Sequence, residues 1–319
     1  MANLNPKVSI IGAGNVGMRY AYALIVRGLA REIVIVDKDK KRLEGEVMDL
    51  THTAPYTSPV NIVNGDYRDI AGSDLIVITA GVKQRVGQSR LELIESNVKL
   101  FREIVPLLMK YAPEAVFLNV TNPVDLLSYV TYKISSKPSA SVIGSGTVLD
   151  TARFRNLLAK HVGIDSRNIH AYILGEHGDS EFPVWSRAMV GGILFKDYCP
   201  KCCVRGKDCN HKEELGKIFK EVKESAYKII ERKGETSYGI GLAILRITEA
   251  VLNDQNAILP VSSLVKDYLG LDDLYLSLPA VVNKRGLDYI LNIELNNEEQ
   301  ELLKSSAKVV KDILTKIGF

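Results

Sequence analysis

The chain is poor in cysteine, and the four it has are badly placed to brace a fold. Cys199, Cys202, Cys203 and Cys209 fall within eleven residues of a 319-residue sequence. A disulfide framework needs thiols spread along the chain, so the disulfide-stapled secreted class is excluded and reduced thiols are expected. Long apolar runs are missing too: no stretch approaches the roughly 18 uninterrupted apolar residues that a membrane-spanning helix requires. The opening Met1-Ala2-Asn3-Leu4-Asn5-Pro6 has no basic start followed by an apolar segment, so no secretory signal is read and a cytoplasmic location is expected. Neither sign of charge dominates, with 41 Lys and Arg against 38 Asp and Glu, a net +3 dispersed along the chain. Neither a nucleic acid nor a membrane is therefore expected as a partner. What remains is 46% apolar and 25% charged, an ordinary globular composition. Its length suits two domains of about 150 residues.

From residue 7, short β-branched runs alternate with longer amphipathic stretches, and strands are predicted at 8–11, 32–37, 61–63, 74–80, 115–120 and 141–143. Such alternation implies an α/β fold with a parallel, doubly wound sheet of the Rossmann kind, covered by helices on both faces. Past Gly144 the pattern changes to helices over 151–161, 213–232 and 236–251, with strand candidates at 170–174 and 278–282. The expected architecture is a doubly wound domain over 1–144 followed by an α+β domain over 145–319. Apolar residues at helical spacing, such as Leu215, Ile218, Val222, Ile229 and Ile230, read as packing surface.

Gly12-Ala13-Gly14-Asn15-Val16-Gly17 follows the first predicted strand and opens a helix over 18–26. Glycines at this spacing allow a tight turn, let backbone N–H groups approach a pyrophosphate, and bring helix against sheet. The next strand ends at Asp37, twenty residues after Gly17, where a carboxylate can accept hydrogen bonds from an adenosine ribose diol and repel a 2′-phosphate. NAD is thus expected over NADP, although Lys38 beside Asp37 weakens the discrimination.

Four further stretches carry chemistry. Gly175-Glu176-His177-Gly178-Asp179 places a histidine in a polar turn, and histidine exchanges a proton near neutral pH, as a carbonyl/alcohol interconversion needs at its oxygen. His52, His161 and His211 lack such company and read as structural. Asp150 and Arg153 stand three residues apart, on one face of a helix starting near Asp150. They read either as a helix cap and a surface charge, or as a carboxylate orienting an imidazole and a guanidinium gripping a substrate carboxylate. Residues 81–90 form a polar, glycine-punctuated segment after a strand end and have the makings of a lid, while Asn122-Pro123 follows another strand end. Open parallel sheets bind ligands along that edge.

Taken together, Gly12 to Gly17, Ala80-Gly81 with Gln84 and Arg90, Val120-Thr121-Asn122-Pro123, Asp150-Thr151-Ala152-Arg153, Gly175 to Asp179 and Lys233-Gly234-Glu235-Thr236 closely resemble the lactate/malate dehydrogenase family, on its L-lactate side. The similarity runs from Val8 essentially to the C-terminus. The resemblance implies that His177 is the acid/base for interconverting pyruvate and L-lactate, that Asp150 holds its other nitrogen, and that Arg153 pairs with the substrate carboxylate. It further implies that Arg90 polarises the carbonyl, that Asn122 meets the reacting oxygen and the nicotinamide side, and that Thr236 lines the substrate cavity. Gly12, Gly14, Val16, Gly17, Asp37, Arg42, Tyr67, Gly81 and Asn122 match positions that contact the cofactor.

Gln84 matches the position where the malate branch carries arginine for the second carboxylate of oxaloacetate, so a neutral amide there favours pyruvate. A malate or broad 2-hydroxyacid dehydrogenase is the alternative enzyme. A non-catalytic NAD-binding protein is the alternative outside enzymes, and intact His177, Asp150, Arg153 and Arg90 argue against it. Arg155 and His170 match the pair that binds fructose 1,6-bisphosphate between subunits in many bacterial members, which implies an allosterically activated homotetramer. Their plainer reading is a surface arginine and a strand histidine. The departure from the family is the segment from Cys199 to His211, whose thiols and imidazole could hold zinc but lack the usual paired spacing; a reduced, solvated loop without metal is expected.

Overall fold

The computed structural model describes residues 5–82, 89–199 and 211–319. The first half builds six parallel strands, β1 (Lys7–Ile11), β2 (Glu32–Val36), β3 (Asn61–Asn64), β4 (Leu75–Ile78), β5 (Val116–Asn119) and β6 (Val142–Gly144). Their spatial order is 3-2-1-4-5-6. Between them run α1 (Asn15–Arg27), α2 (Lys40–Thr51), α3 (Arg90–Tyr111) and α4 (Val124–Ser135). All but the edge strand β3 are buried on both faces, and successive side chains divide between two cores as the two-residue period of a strand demands. Ile11, Val34, Ile76, Ile78 and Phe117 join α3, α4 and the C-terminal helix on one face. Ile10, Ile33, Ile35, Val77 and Leu118 join α1 and α2 on the other. Each such side chain, fully buried, contributes about 1.5–3 kcal/mol of transfer free energy.

The second half begins with α5 (Val148–Val162) and continues through short strands β7 (Ile169–His170), β8 (Ile173–Leu174), β9 (Phe182–Pro183), β10 (Met189–Val190) and β11 (Ile193–Leu194). Then follow α6 (Phe195–Tyr198), α7 (His211–Lys233), α8 (Tyr238–Leu252), β12 (Ala257–Val265), β13 (Leu274–Asn283), β14 (Gly286–Ile290) and α9 (Asn297–Lys316). The predicted strand at 170–174 is two pieces with different partners: β7 pairs with β10, and β8 with β9. The helices lie where helical spacing placed them, with most ends extended by one to three residues; α8 instead starts two residues later than predicted, at Tyr238.

The second half does not keep its main strands to itself. β12, β13 and β14 run antiparallel and join the first sheet through Ser262 of β12 beside Gly144 of β6, so nine strands form one continuous sheet. The junction requires glycine: a Cβ on Gly144 would lie 2.5 Å from the Ser128 hydroxyl, and Gly146, at φ 52°, would meet the Ser262 backbone nitrogen at 2.5 Å. Gly144 to Gly146 is thus where the parallel strands hand over to α5 and to the antiparallel extension.

Candidate active site

The chain reverses around β1, which pairs with β2 on one side and β4 on the other, so the crevice of the sheet opens at the carboxyl ends of β1 and β4. The glycine turn occupies that crevice. Gly12, at φ 112°, lies so close to β4 that a Cβ would meet the Ala80 nitrogen at 2.7 Å, and a Cβ on Gly17 would meet the Gly12 carbonyl oxygen at 2.2 Å. Gly14 differs: it precedes α1, no side chain caps the helix there, and a Cβ would meet nothing within 4 Å. The first N–H groups of this 13-residue helix thus have no side-chain cap, and there is room beside Gly14, as a cradle for a pyrophosphate needs. Asp37 closes the turn, accepting from the Ala13 N–H at 2.6 Å and the Asp39 N–H at 2.9 Å. Val16 lies in the first turn of α1 and Arg42 in that of α2, where the Arg42 N–H donates to Asp39 at 3.1 Å. Half-buried Tyr67 has its phenol pushed up by burial and by the charge of Asp37. These residues fit a dinucleotide with a free ribose diol.

A second cavity adjoins that edge, walled by Ile94 of α3, Asn122 and Pro123 before α4, Asp150 and Arg153 of α5, His177, Glu181, and Lys223 and Tyr227 of α7. Asp150 sits in the first turn of α5, after Thr147, so it is not the cap; both its oxygens are engaged inward. Its Oδ2 accepts from His177 Nδ1 at 2.7 Å and its Oδ1 from Arg153 Nη1 at 2.8 Å. Burial opposes ionisation of Asp150, yet the adjacent imidazole and guanidinium hold its carboxyl below the usual range. Burial likewise disfavours a charged His177, but the Asp150 carboxylate outweighs it and pushes the imidazole up to about 9. With Nδ1 committed to Asp150, Nε2 is the nitrogen left to exchange a proton with a substrate. The His177 side chain is about a quarter exposed, at 26%, enough to be reached.

Two acidic residues that sequence reasoning missed complete this surrounding. Asp125, in the first turn of α4 and 1% exposed, accepts from the backbone N–H of His177 at 2.7 Å and from the Ser262 hydroxyl at 2.5 Å. It ties the histidine turn to both halves of the sheet. Burial pushes its carboxyl up to about 6, against those hydrogen bonds. Glu181 has a carboxylate oxygen within 4.8 Å of donor atoms of Asp150 and His177. Asp125 stands two residues past the Asn122-Pro123 signal, but only packing reveals that its carboxylate reaches residue 177.

The other expected positions fall as follows. Asn122 lines the cavity, its peptide bond to Pro123 is cis, and its carbonyl accepts from Asn97 Nδ2 at 3.3 Å. Asn97 in turn holds the Val82 N–H at 2.8 Å, next to Gly81. Arg90 is the first residue of α3, after the Ser89 cap, while Gln84 lies outside the described residues. Thr236 is half-buried in the link between α7 and α8. Arg155 points away from the cavity, its Nε donating to the Ala171 carbonyl at 2.9 Å, adjacent to exposed His170 of β7. Cys199 is not part of a solvated loop: it is buried at the end of α6 with its sulfur 3.1 Å from Nε2 of buried His161. Cys202, Cys203 and Cys209 lie outside the described residues, and α7 begins at His211.

Residues 6–144 match the family described as lactate/malate dehydrogenase, NAD binding domain, and residues 147–318 match lactate/malate dehydrogenase, alpha/beta C-terminal domain. L-lactate dehydrogenase 1 of Clostridium acetobutylicum is 49% identical over 313 residues, spanning 98% of this chain and 99% of its own. L-lactate dehydrogenase of Acetivibrio thermocellus is 48% identical over 308 residues, 97% and 96% of the two chains. The crystal structure of a lactate dehydrogenase from a Medee basin deep-sea metagenome library superposes with a TM-score of 0.95 at 42% identity, covering 100% of both chains.

Proposed function

The chain belongs to the lactate/malate dehydrogenase family, and we propose that it is an NAD-dependent enzyme interconverting pyruvate and L-lactate, with His177 as the acid/base. The observation that carries this reading is the contact chain Arg153–Asp150–His177, at 2.8 and 2.7 Å, beside Asn122 in one cavity. Reduced NAD, when bound, supplies the hydride for the substrate carbonyl carbon. The residues do the rest. Arg153 pairs with the substrate carboxylate and so orients the carbonyl toward His177. His177, protonated at neutral pH because Asp150 stabilises its cation, donates to the carbonyl oxygen as that oxygen gains charge, and takes the proton back when lactate is oxidised. Asp150 stays ionised throughout, fixing ring and tautomer. Asn122 donates to the reacting oxygen, and Arg90, leading α3, polarises the carbonyl.

Two finer readings accompany the main one. Arg155 beside His170 supports activation by fructose 1,6-bisphosphate. Exposed Tyr22 and Val26 on α1, with Tyr238 and Leu242 on the neighbouring α8, offer an apolar face that a homotetramer would cover. A cytoplasmic setting fits a substrate pair of central metabolism, and among the described residues no helix is long and apolar enough to cross a membrane.

Steady-state assays with pyruvate, oxaloacetate and longer 2-oxo acids, using NADH and NADPH with and without the bisphosphate, test the proposal. Pyruvate with NADH should give the highest kcat/KM, and the bisphosphate should sharpen pyruvate saturation. Gln84→Arg should shift preference toward oxaloacetate; an unchanged pyruvate-to-oxaloacetate ratio of kcat/KM would remove the substrate argument.

A further inference from the structure

One carboxylate in the cavity has no task in the reaction as derived. Glu181 precedes β9, is 6% exposed and lines the same cavity as His177 and Arg153. Its neighbour Glu176 is buried too, but receives the Ser180 hydroxyl. No side-chain hydrogen bond accompanies Glu181 among the described residues; what it meets is charge. Asp150 and Arg153 face it from α5, His177 from its own turn, and Lys223 from α7. A buried carboxyl without hydrogen-bonded partners is costly, and such groups concentrate where a protonation state matters.

The three donor atoms of Asp150, His177 and Glu181 lie within 4.8 Å of one another, the spacing of a metal site as well as of a proton-sharing cluster. The internal geometry decides between them. Asp150 Oδ2 and His177 Nδ1 are 2.7 Å apart and already hold a proton between them, and the other Asp150 oxygen accepts from Arg153, so a common cation would have to displace that proton and sit beside the guanidinium charge.

We propose that Glu181 is a positioning residue for the proton of the acid/base pair: an ionisable carboxylate that, once charged, stabilises the His177 imidazolium through space without touching the substrate. Burial first, and then the Asp150 charge, push the Glu181 carboxyl up to about 8, into the range where His177 also titrates. The two titrations overlap: the negative charge that Glu181 gains, within 4.8 Å of a His177 ring nitrogen, holds the proton on His177 over a further interval as pH rises. Below neutrality Glu181 is uncharged and silent. This deepens the reading of His177 as acid/base and rests on it for its catalytic consequence, but the titration itself can be followed without turnover.

The test is the pH titration of His177 by NMR in the full-length protein carrying 13C at histidine Cε1, run on the wild type, Glu181→Gln and Glu181→Asp, and paired with the pH profile of kcat/KM for pyruvate. Glu181→Gln should lower the His177 midpoint by about one pH unit and move the alkaline limb of the profile by the same amount. Glu181→Asp should keep most of the wild-type midpoint. The wild type carries an independent readout if the Gln variant does not fold: the 13C carboxyl of Glu181 should titrate well above the ordinary glutamate value of about 4.3. A His177 midpoint unmoved in Glu181→Gln, or a Glu181 carboxyl titrating near that ordinary value, overturns the proposal. Loss of pyruvate reduction in every variant, with the NMR shift intact, would instead count against the catalytic reading alone.

Discussion

At residue scale, the cavity turns on how many bonds one guanidinium can make. Arg153 spends Nη1 on buried Asp150 and has its remaining donors for a carboxylate, a division that a lysine cannot reproduce because its ammonium is a single point of charge. Arg153→Lys should therefore raise KM for pyruvate about 10–100-fold, the equivalent of one or two charge-assisted hydrogen bonds, with a smaller effect on NADH affinity. Steady-state kinetics alongside NADH fluorescence titration checks this, and equal weakening of both ligands would contradict it. Arg153, Asp150 and His177 were legible in the sequence because unusual polar residues stand at turns and helix starts. Glu181 and Asp125 were not. Nothing in a residue's name announces that its carboxylate will be buried by segments distant in the chain, as Asp125 is beside His177 and Ser262 and Glu181 beside Asp150 and Lys223.

At the scale of elements, the glycine turn separates packing from recognition. Gly12 needs a positive φ and clearance from β4, so Gly12→Ala should lower thermal stability, by about 1–3 kcal/mol, as well as cofactor binding. Gly14 has φ −77° and open space where a methyl would go, so Gly14→Ala should leave Tm unchanged while weakening NADH about tenfold. Calorimetry and NADH titration on the two variants distinguish these outcomes; a Gly14→Ala protein that binds NADH normally would show that the open space is not the cradle. The helices and six parallel strands were readable because periodicity and breakers agree along them. β12 was not, because Pro260 and the pair Ser262 and Ser263 interrupt its alternation. The structure accommodates them: Pro260 stands opposite Pro279 of β13, and its carbonyl accepts from the Thr147 N–H at 3.2 Å. Buried Ser262 is needed to hold Asp125. At Pro260 and Ser262 the departures from a strand-like pattern are thus contacts with other parts of the molecule, invisible to local reading.

Across the whole molecule, one sheet carries both tasks. The parallel strands end at the glycine turn, and the antiparallel extension supports, through Ser262 and Asp125, the turn that presents His177. The change of pattern near Gly144 was visible in the sequence; that strands from the far end of the chain would continue the first sheet was not, since pairing across more than a hundred residues leaves no local trace. Under the proposed function, the first half holds the cofactor and the second half brings the proton donor, His177, to it. The most direct measurement is pyruvate reduction by His177→Gln beside NADH binding to the same protein. The account predicts a fall in kcat of about 10²–10⁴-fold with the NADH dissociation constant unchanged. Reduction of pyruvate at close to the wild-type rate by that variant would contradict it.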